Sequence, residues 1–260
     1  MPAGFPDYYT ALRPFRELFE TGLPLLTYHK VGPRPRGVRL KGLYISPRLF
    51  SQQMAELRKN NFTSATLGEV AEGAVDLQRR IVITFDDGWR NVFEHALEPL
   101  AKNRLRAIHF LVADRLGRTN EWDQPVGEVQ EPMMDAAQVR EFLAAGHEIG
   151  SHTLTHPFLT RLPRAAAREE MSASKKKLED LFGRPIAHFC YPYGDWNPQI
   201  RDLVVESGYR TACTADFGVN SADVSLFELK RITARYPSRN WKSVREWLRR
   251  SWRSLISGPY

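Results

Sequence analysis

Short apolar runs alternate along the chain with longer stretches in which apolar residues recur every three or four positions. The short runs predict strands, and the longer stretches have the period of amphipathic helices. The predicted strands are 23–28, 80–85, 107–112, 147–151, 186–191, 209–214 and 229–234. The predicted helices are one that begins at 47, one that begins at 198, and 91–103, 135–145, 164–182 and 241–256. Strand followed by helix about seven times indicates either a parallel (β/α) barrel or an open doubly wound sheet.

Local signals support the helix boundaries. Ser46-Pro47 combines a favoured N-cap with a proline suited to the first turn, and Asn197-Pro198 opens a later helix in a similar way. Gly183 is placed to end the long helix before it. The helix that begins at Pro47 has apolar residues spaced by four and then three positions, which predicts a buried stripe of Phe50, Met54 and Leu57.

Composition excludes several classes of protein. With 42% hydrophobic and 26% charged residues, the 260-residue chain is neither disordered nor fibrous. Apolar runs such as Ile81-Val82-Ile83 are far shorter than the roughly 18 residues that a membrane-spanning helix requires. The N-terminal residues lack the pattern of a secretory signal, and Cys190 and Cys213 alone cannot define a disulfide framework. We therefore expect a cytoplasmic protein.

The basic charge is concentrated in the C-terminal segment. The formal net charge is +7, and residues 230–260 contain nine basic residues against one acidic residue, Glu246. The body of the chain is then close to neutral, and no nucleic-acid partner is expected. On a helical projection of 241–256, the tryptophans fall on one half and most of the basic residues on the other. We favour a final helix that covers the last strand; the alternative is an interfacial helix that contacts an anionic membrane.

Chemically active residues follow several of the predicted strands. In β/α folds the active site lies at the carboxyl ends of the strands. The residues found directly after strands are His29, Asp86-Asp87, His152 with His156, and Pro192-Tyr193-Gly194. We expect these residues to converge on one rim of the fold.

Two of these groups have the chemistry of a metal site. His152 and His156 are four residues apart, which predicts two imidazoles on one face of a helical turn. Two imidazoles and a carboxylate can hold a divalent metal and leave positions open for water or substrate. Asp86 and Asp87 are adjacent and should point opposite ways on an extended strand end, so one can ligate while the other accepts a proton. A solvated Asp-Asp-Gly turn is the alternative.

Three ordered motifs resemble those of a known enzyme family. Thr84-Phe85-Asp86-Asp87-Gly88, Ser151-His152-Thr153-Leu154-Thr155-His156-Pro157 and Tyr191-Pro192-Tyr193-Gly194 are similar to signatures of the polysaccharide deacetylases, the NodB-homology or carbohydrate esterase 4 family. Thr27-Tyr28-His29-Lys30-Val31 resembles the early Tyr-His signature of a permuted branch, which includes enzymes that deacetylate biofilm poly-N-acetylglucosamine. The resemblance extends from about residue 23 to residue 232 and implies a distorted parallel (β/α) barrel of about seven repeats in a single domain.

The resemblance implies roles for five residues. Asp86 would be the general base, and Asp87, His152 and His156 would hold one divalent metal ion. His29 would be the general acid, as in the permuted branch. Zinc is the expected metal, with cobalt, nickel, iron and manganese as alternatives.

Three further residues are expected at the substrate. The tyrosine of the family's Pro-Tyr-Gly motif offers its backbone N–H to the oxyanion, which points to Tyr193, preceded by Pro192. Trp89 follows the aspartate pair, and we expect it either to stack on a sugar ring or to pack at the rim.

Two departures from the family pattern matter. Most members carry an arginine two residues before the proline of Pro-Tyr-Gly, where it orients the catalytic aspartate, and here Cys190 stands in that position. The late leucine-x-x-histidine motif is also missing, because the segment 229–233 contains no histidine. Both absences are expected of the permuted branch, and they leave the role of general acid to His29.

The resemblance therefore implies a metal-dependent N-deacetylase acting on an N-acetylated amino sugar, as an oligo- or polysaccharide. The expected organisation is an N-terminal extension (1–22), a catalytic barrel (23–236) and a basic amphipathic helix (237–260). One alternative is a deacylase of a lipid-linked amino sugar at the inner membrane face, with residues 241–256 in peripheral contact with the membrane. The other is a noncatalytic carbohydrate-binding relative, suggested by the missing arginine.

Overall fold

The structure is a computed structural model that describes residue 19, residues 21–75 and residues 78–234. Ten strands lie in this part of the chain. They are β1 (Leu25–Tyr28), β2 (Lys30–Val31), β3 (Tyr44–Ile45), β4 (Thr63–Ser64), β5 (Arg80–Phe85), β6 (Ile108–Leu111), β7 (Glu148–Ser151), β8 (His188–Cys190), β9 (Thr211–Phe217) and β10 (Leu229–Thr233).

Seven of the strands form a closed parallel barrel. Its order is β1-β10-β9-β8-β7-β6-β5, and β1 pairs back with β5 to complete the ring. This closing pair runs in register from Leu25 opposite Val82 to Tyr28 opposite Phe85. The predicted barrel of about seven repeats is confirmed, and the open doubly wound sheet is wrong. Outside the ring, β4 pairs with the start of β5, and β2 pairs with β3.

Helices cover the outside of the barrel. The α-helices are α1 (Pro47–Lys59), α2 (Leu67–Ala71), α3 (Arg90–Lys102), α4 (Ala136–Ala144), α5 (Arg164–Phe182) and α6 (Pro198–Glu206). Short 3₁₀ helices lie at Lys41–Leu43, Ala113–Arg115, Glu121–Val126, Leu159–Arg161 and Pro192–Gly194. In the described ranges no helix combines the length and the hydropathy needed to span a bilayer.

The predicted helix starts are confirmed by their caps. The Ser46 hydroxyl accepts a hydrogen bond from the Leu49 N–H at 3.2 Å, and the Asn197 side-chain oxygen accepts one from the Ile200 N–H at 2.9 Å. Gly183 ends α5 in the left-handed conformation, with φ of 63°. The Ser46 and Asn197 side chains satisfy N–H groups that the first turn of a helix cannot pair internally.

The strands separate two layers of core. Six barrel strands contribute to an inner cluster, which includes Leu25, Val82, Ile108, Phe110, Cys190, Cys213 and Leu229. Alternate residues of the same strands, such as Leu26 and Ile83, belong to an outer cluster. The predicted stripe of α1, formed by Phe50, Met54 and Leu57, is buried in that outer cluster. The two-residue period of the strands thus assigns each side chain to one layer.

Some elements differ from the sequence-based expectation or lie beyond it. The short elements β2, β3, β4 and α2 were not expected, because two to five residues are too few to show a period. The predicted helix over 241–256 lies outside the described residues. So does the expected N-terminal extension, apart from residues 19, 21 and 22.

Candidate active site

The carboxyl ends of the barrel strands bring the candidate residues to one rim. These residues are His29 after β1, Asp86 and Asp87 after β5, His152 after β7, and Pro192, Tyr193 and Gly194 after β8. His156 joins them from the loop that follows His152. The parallel topology explains this grouping, since all these strand ends lie on the same side of the barrel.

Asp87, His152 and His156 form a cluster with the chemistry of a metal site. Asp87 Oδ1 lies 3.4 Å from His152 Nε2 and 3.3 Å from His156 Nε2. One possible ligand atom of each of these buried residues lies within 4.8 Å of the other two. Two imidazole nitrogens and one carboxylate oxygen suit zinc and other divalent transition metals, and leave positions for water and substrate. The residues present therefore fit such an ion.

A backbone carbonyl sets the orientation of His152. Its Nδ1 lies 2.7 Å from the carbonyl oxygen of Cys190, which can only accept a hydrogen bond. Nδ1 therefore carries a proton, so in the neutral imidazole Nε2, which faces Asp87, is the nitrogen left free to bind a metal. This is the tautomer that metal ligation through Nε2 requires.

The segment between the two histidines is a loop and not the helical turn expected from their spacing. Thr153 and His156 both have φ of 70°, whereas helical residues lie near −63°. The His156 N–H donates a hydrogen bond to the Thr153 hydroxyl at 3.0 Å. The prediction of a helical turn is wrong, because left-handed residues at both positions reverse the chain. The two imidazoles nevertheless meet, with ring centroids 4.9 Å apart.

Asp86 has a different set of partners from its neighbour. Arg231 of β10 donates two hydrogen bonds to it, from Nη1 to Oδ1 at 2.8 Å and from Nη2 to Oδ2 at 2.9 Å. Burial opposes ionisation of Asp86, but the charge and hydrogen bonds of Arg231, together with the charges of His29 and His152, outweigh burial and hold the pKa of Asp86 below its ordinary value. The result is an ionised carboxylate with a fixed orientation.

Arg231 is a candidate site residue that the sequence did not single out. It belongs to the segment counted as the basic tail, although its side chain is buried between the strands. The available signal was the strand alternation, because Leu229 and Arg231 share the inward parity and Lys230 between them is exposed. The position two residues before Pro192 holds Cys190, whose Sγ lies 3.7 Å from Asp86 Oδ1.

His29 approaches Asp86 from the end of β1. Its Nε2 lies 3.7 Å from Asp86 Oδ2, and 23% of its side chain is exposed. Burial lowers the pKa of His29, and the carboxylates of Asp87 and Asp86 only partly offset this, so the pKa lies below the usual 6.5. The imidazole is thus close to both carboxylates and still open on one side.

Trp89 forms a hydrogen bond with Asp87 on the side away from the two histidines. Its indole Nε1 donates a hydrogen bond to Asp87 Oδ2 at 2.8 Å, while Oδ1 faces the two histidines. The Trp89 side chain is fully buried, and the Lys30 ammonium lies 3.7 Å from the centroid of its ring. The expected stacking of Trp89 on a sugar ring is wrong, because no part of the ring is exposed. The ring instead packs inside the protein, against Lys30 and its neighbours.

Pro192 and Tyr193 turn the chain beside His156. Pro192 is buried, and Tyr193 has φ of 60° with 47% of its surface exposed. The Tyr193 ring lies 4.5 Å from that of His156 and stacks on Phe158 with centroids 3.9 Å apart. From the other side, Trp122 in the 3₁₀ helix at 121–126 lies 4.7 Å from the His156 ring. Aromatic side chains therefore enclose the second histidine of the cluster.

The family model of the polysaccharide deacetylases matches residues 75–212, and the chain belongs to this family. The seven-stranded parallel barrel agrees with that assignment.

Individual relatives extend the similarity beyond the matched region. The chain is 24% identical to the Bacillus subtilis protein YxkH over 214 residues, which cover 81% of this chain and 70% of YxkH. It is 31% identical to the chitooligosaccharide deacetylase of Azorhizobium caulinodans over 148 residues, 56% of this chain and 62% of that relative. The solved structure of IcaB from Ammonifex degensii matches with a TM-score of 0.72 and 26% identity, over 87% of this chain and 97% of IcaB. The chain thus spans less than two thirds of the Azorhizobium relative and nearly all of IcaB.

Proposed function

We propose that the chain is a metal-dependent hydrolase that removes N-acetyl groups from an N-acetylated amino-sugar oligo- or polysaccharide. The observation that carries this proposal is the separation of partners between two adjacent carboxylates. Asp87 faces the two imidazoles of His152 and His156, whereas Asp86 faces Arg231 and His29. A candidate cation site, a candidate base and a candidate acid therefore surround the same space, as amide hydrolysis requires.

Asp87, His152 and His156 would hold one divalent ion. We expect zinc, because two imidazole nitrogens and one carboxylate oxygen are ligands that catalytic zinc sites use. The ion, when bound, lowers the pKa of a water molecule to roughly 7 and polarises the acyl oxygen. Cobalt, nickel, iron and manganese accept the same ligands and stay as alternatives.

Asp86 would accept the proton of the attacking water. Its lowered pKa keeps it ionised at neutral pH, which a general base requires. The paired hydrogen bonds from Arg231, one to each oxygen, fix the orientation of the carboxylate. Arg231 would therefore act as a positioning residue for the base.

His29 would give a proton to the departing nitrogen. General-acid catalysis of this kind contributes roughly 10²–10⁴-fold to the rate. The open side of the imidazole makes this transfer sterically possible. Because the pKa of His29 lies below 6.5, only a minority of the imidazoles carry a proton at neutral pH. That protonated fraction falls further as the pH rises.

Tyr193 and Pro192 would form the wall that receives the acyl group. The Tyr193 backbone N–H would donate to the developing oxyanion, and Pro192 restricts the turn that presents it. The exposed Tyr193 ring offers an apolar face beside the site. The similarity to the chitooligosaccharide deacetylase of Azorhizobium caulinodans supports the choice of an N-acetylated sugar.

The two alternatives rest on different observations. The noncatalytic alternative arose from the missing arginine, and Arg231 places a guanidinium on Asp86 from another strand. The lipid-linked alternative depends on residues 241–256, which lie outside the described residues. It predicts that the intact protein sediments with anionic vesicles and that deletion of residues 240–260 removes this binding while activity is retained.

The central experiment measures acetate release from a panel of N-acetylated oligosaccharides. Assays with chelator, and then with zinc, cobalt, nickel, iron or manganese restored one at a time, test the metal dependence. We expect release that stops with chelator and returns with metal. Metal binding without acetate release from any sugar in the panel would favour the noncatalytic alternative.

A further inference from the structure

The loop from His152 to His156 is held in an unfavourable backbone conformation. Thr153 and His156 both have φ of 70°, in the left-handed region, which is sparsely populated and energetically unfavourable for residues other than glycine. Such a conformation persists only where surrounding contacts define it. The two residues between them, Leu154 and Thr155, form hydrogen bonds with residues outside the loop.

Glu170 of helix α5 accepts three hydrogen bonds from this loop. Its Oε2 accepts from the backbone N–H groups of Leu154 and Thr155, both at 2.9 Å. Its Oε1 accepts from the Thr155 hydroxyl at 2.7 Å. Hydrogen bonds to an ionised carboxylate are stronger than those between neutral groups. One side chain therefore fixes two consecutive peptide units between His152 and His156.

The opposite edge of the loop is held by the segment after β6. The Ala113 N–H donates to the Thr153 carbonyl at 3.1 Å, and the Asp114 N–H donates to the Leu154 carbonyl at 3.0 Å. Asp114 is in turn bound by Lys177 of α5, whose Nζ lies 2.7 Å from Asp114 Oδ1. Helix α5 thus contacts the loop directly through Glu170 and indirectly through Lys177.

We propose that Glu170 is a positioning residue for the metal site, an inference that rests on the proposed metal binding by Asp87, His152 and His156. The physical reason is that Leu154 and Thr155 connect the two imidazoles. A change in the tilt of their peptide units would therefore alter the separation of the two ligand nitrogens. Groups that orient metal ligands typically contribute 10–100-fold to metal affinity or activity.

The test compares three variants of the full chain. Glu170→Ala removes all three acceptors, and Glu170→Gln keeps a side-chain oxygen that can accept from both N–H groups. Glu169→Ala is the matched control, because Glu169 is the exposed neighbour on the same helix. Zinc affinity is measured by competition with a chromophoric chelator. We expect Glu170→Ala to bind zinc about 10–100-fold more weakly than wild type, Glu170→Gln to lie between them, and Glu169→Ala to match wild type.

A second measurement reads the contact itself without metal. Hydrogen exchange of the Leu154 and Thr155 amides, in metal-free protein, should accelerate in Glu170→Ala and stay unchanged in Glu169→Ala. Faster exchange with unchanged zinc affinity would overturn the positioning role and leave Glu170 with a structural role only. Unchanged exchange and affinity would overturn the inference entirely. Failure of wild type to bind any of the candidate metals would overturn the proposed function, and this inference with it.

Discussion

Asp86 and Asp87 have different partners because the backbone turns between them. On a continuing strand, alternation alone would direct the two carboxylates to opposite faces. Here Asp87 has φ of 77°, a left-handed conformation, and its two oxygens are held separately by Trp89 and by the histidine pair. The Asp86 N–H donates to the Tyr28 carbonyl at 3.0 Å, directly after β5, and its carboxylate meets Arg231. The conformation of one residue therefore separates a candidate ligand from a candidate base.

Removal of His152 tests the metal assignment at the residue scale. We expect His152→Ala to lose stoichiometric metal binding, because one of only two imidazole donors is gone. Metal content after dialysis, measured by atomic spectroscopy, checks this, and circular dichroism checks that the fold is retained. His95→Ala, at a half-exposed histidine of α3, is the control and should keep its metal. Unchanged metal content in His152→Ala would contradict the assignment.

Asp86→Asn separates the base from the ligands. The variant should still bind metal, since Asp87, His152 and His156 are intact, but the amide cannot accept the proton of the attacking water. We expect turnover to fall by about 10²–10⁴-fold, the usual contribution of a general base. Metal titration and acetate release, measured on the same preparation, give both quantities. Turnover within about tenfold of wild type would mean that another group is the base.

His29→Ala tests the general acid through the leaving group. An amide releases a nitrogen that must be protonated, whereas an activated aryl acetate releases a stable anion. We therefore expect a much larger loss of kcat/KM on N-acetylated sugar than on the aryl ester. Equal losses on both substrates would show that His29 acts by positioning the substrate or the fold and not by donating a proton.

At the scale of elements, the sequence predicts those features that repeat locally. All seven barrel strands follow from short apolar runs, and the caps at Ser46 and Asn197 mark helix starts. Two features of the candidate site could not be predicted from the sequence, for physical reasons. Arg231 reaches Asp86 across 145 residues of sequence, a contact that exists only once the barrel closes. A spacing of four between histidines fits a helix or a loop equally, and only the φ values distinguish them.

Strand β7 leaves no room for a side chain at Gly150, which gives a test at the scale of elements. A Cβ there would lie 2.5 Å from Phe110 Cδ1 and 2.8 Å from the His188 carbonyl oxygen. We expect Gly150→Ala to lower the free energy of unfolding by about 1–3 kcal/mol through overpacking. Gly68→Ala is the matched control, because its nearest neighbour is at an ordinary 3.6 Å. Urea unfolding measures both, and a Gly150→Ala variant as stable as the control would contradict the packing argument.

The whole molecule buries several histidines to which the proposed chemistry gives no role. His147 directly precedes β7, His188 lies in β8 and His109 lies in β6. Burial lowers the pKa of each from 6.5 to about 4. His188 Nδ1 is 2.9 Å from the Thr211 hydroxyl, and His109 Nε2 accepts from the Gly88 N–H at 3.0 Å. The folded barrel therefore holds these imidazoles neutral at neutral pH.

Acid should consequently weaken the fold in a defined range of pH. Between about pH 6.5 and pH 4 the unfolded chain binds a proton at each of these histidines and the folded chain does not, so stability is lost as the pH falls. A pKa lowered from 6.5 to about 4 corresponds to about 3 kcal/mol of unfolding free energy lost below both values for a single histidine.

His188→Asn keeps a polar group beside Thr211 and removes the titration. Urea unfolding of wild type and variant from pH 8 to pH 4 should give a constant difference in unfolding free energy above pH 7. Below that pH the difference should shift steadily in favour of the variant. Contributions from the metal site are common to both proteins and cancel in the difference. A difference that stays constant down to pH 4 would show that His188 titrates alike in the folded and unfolded chain.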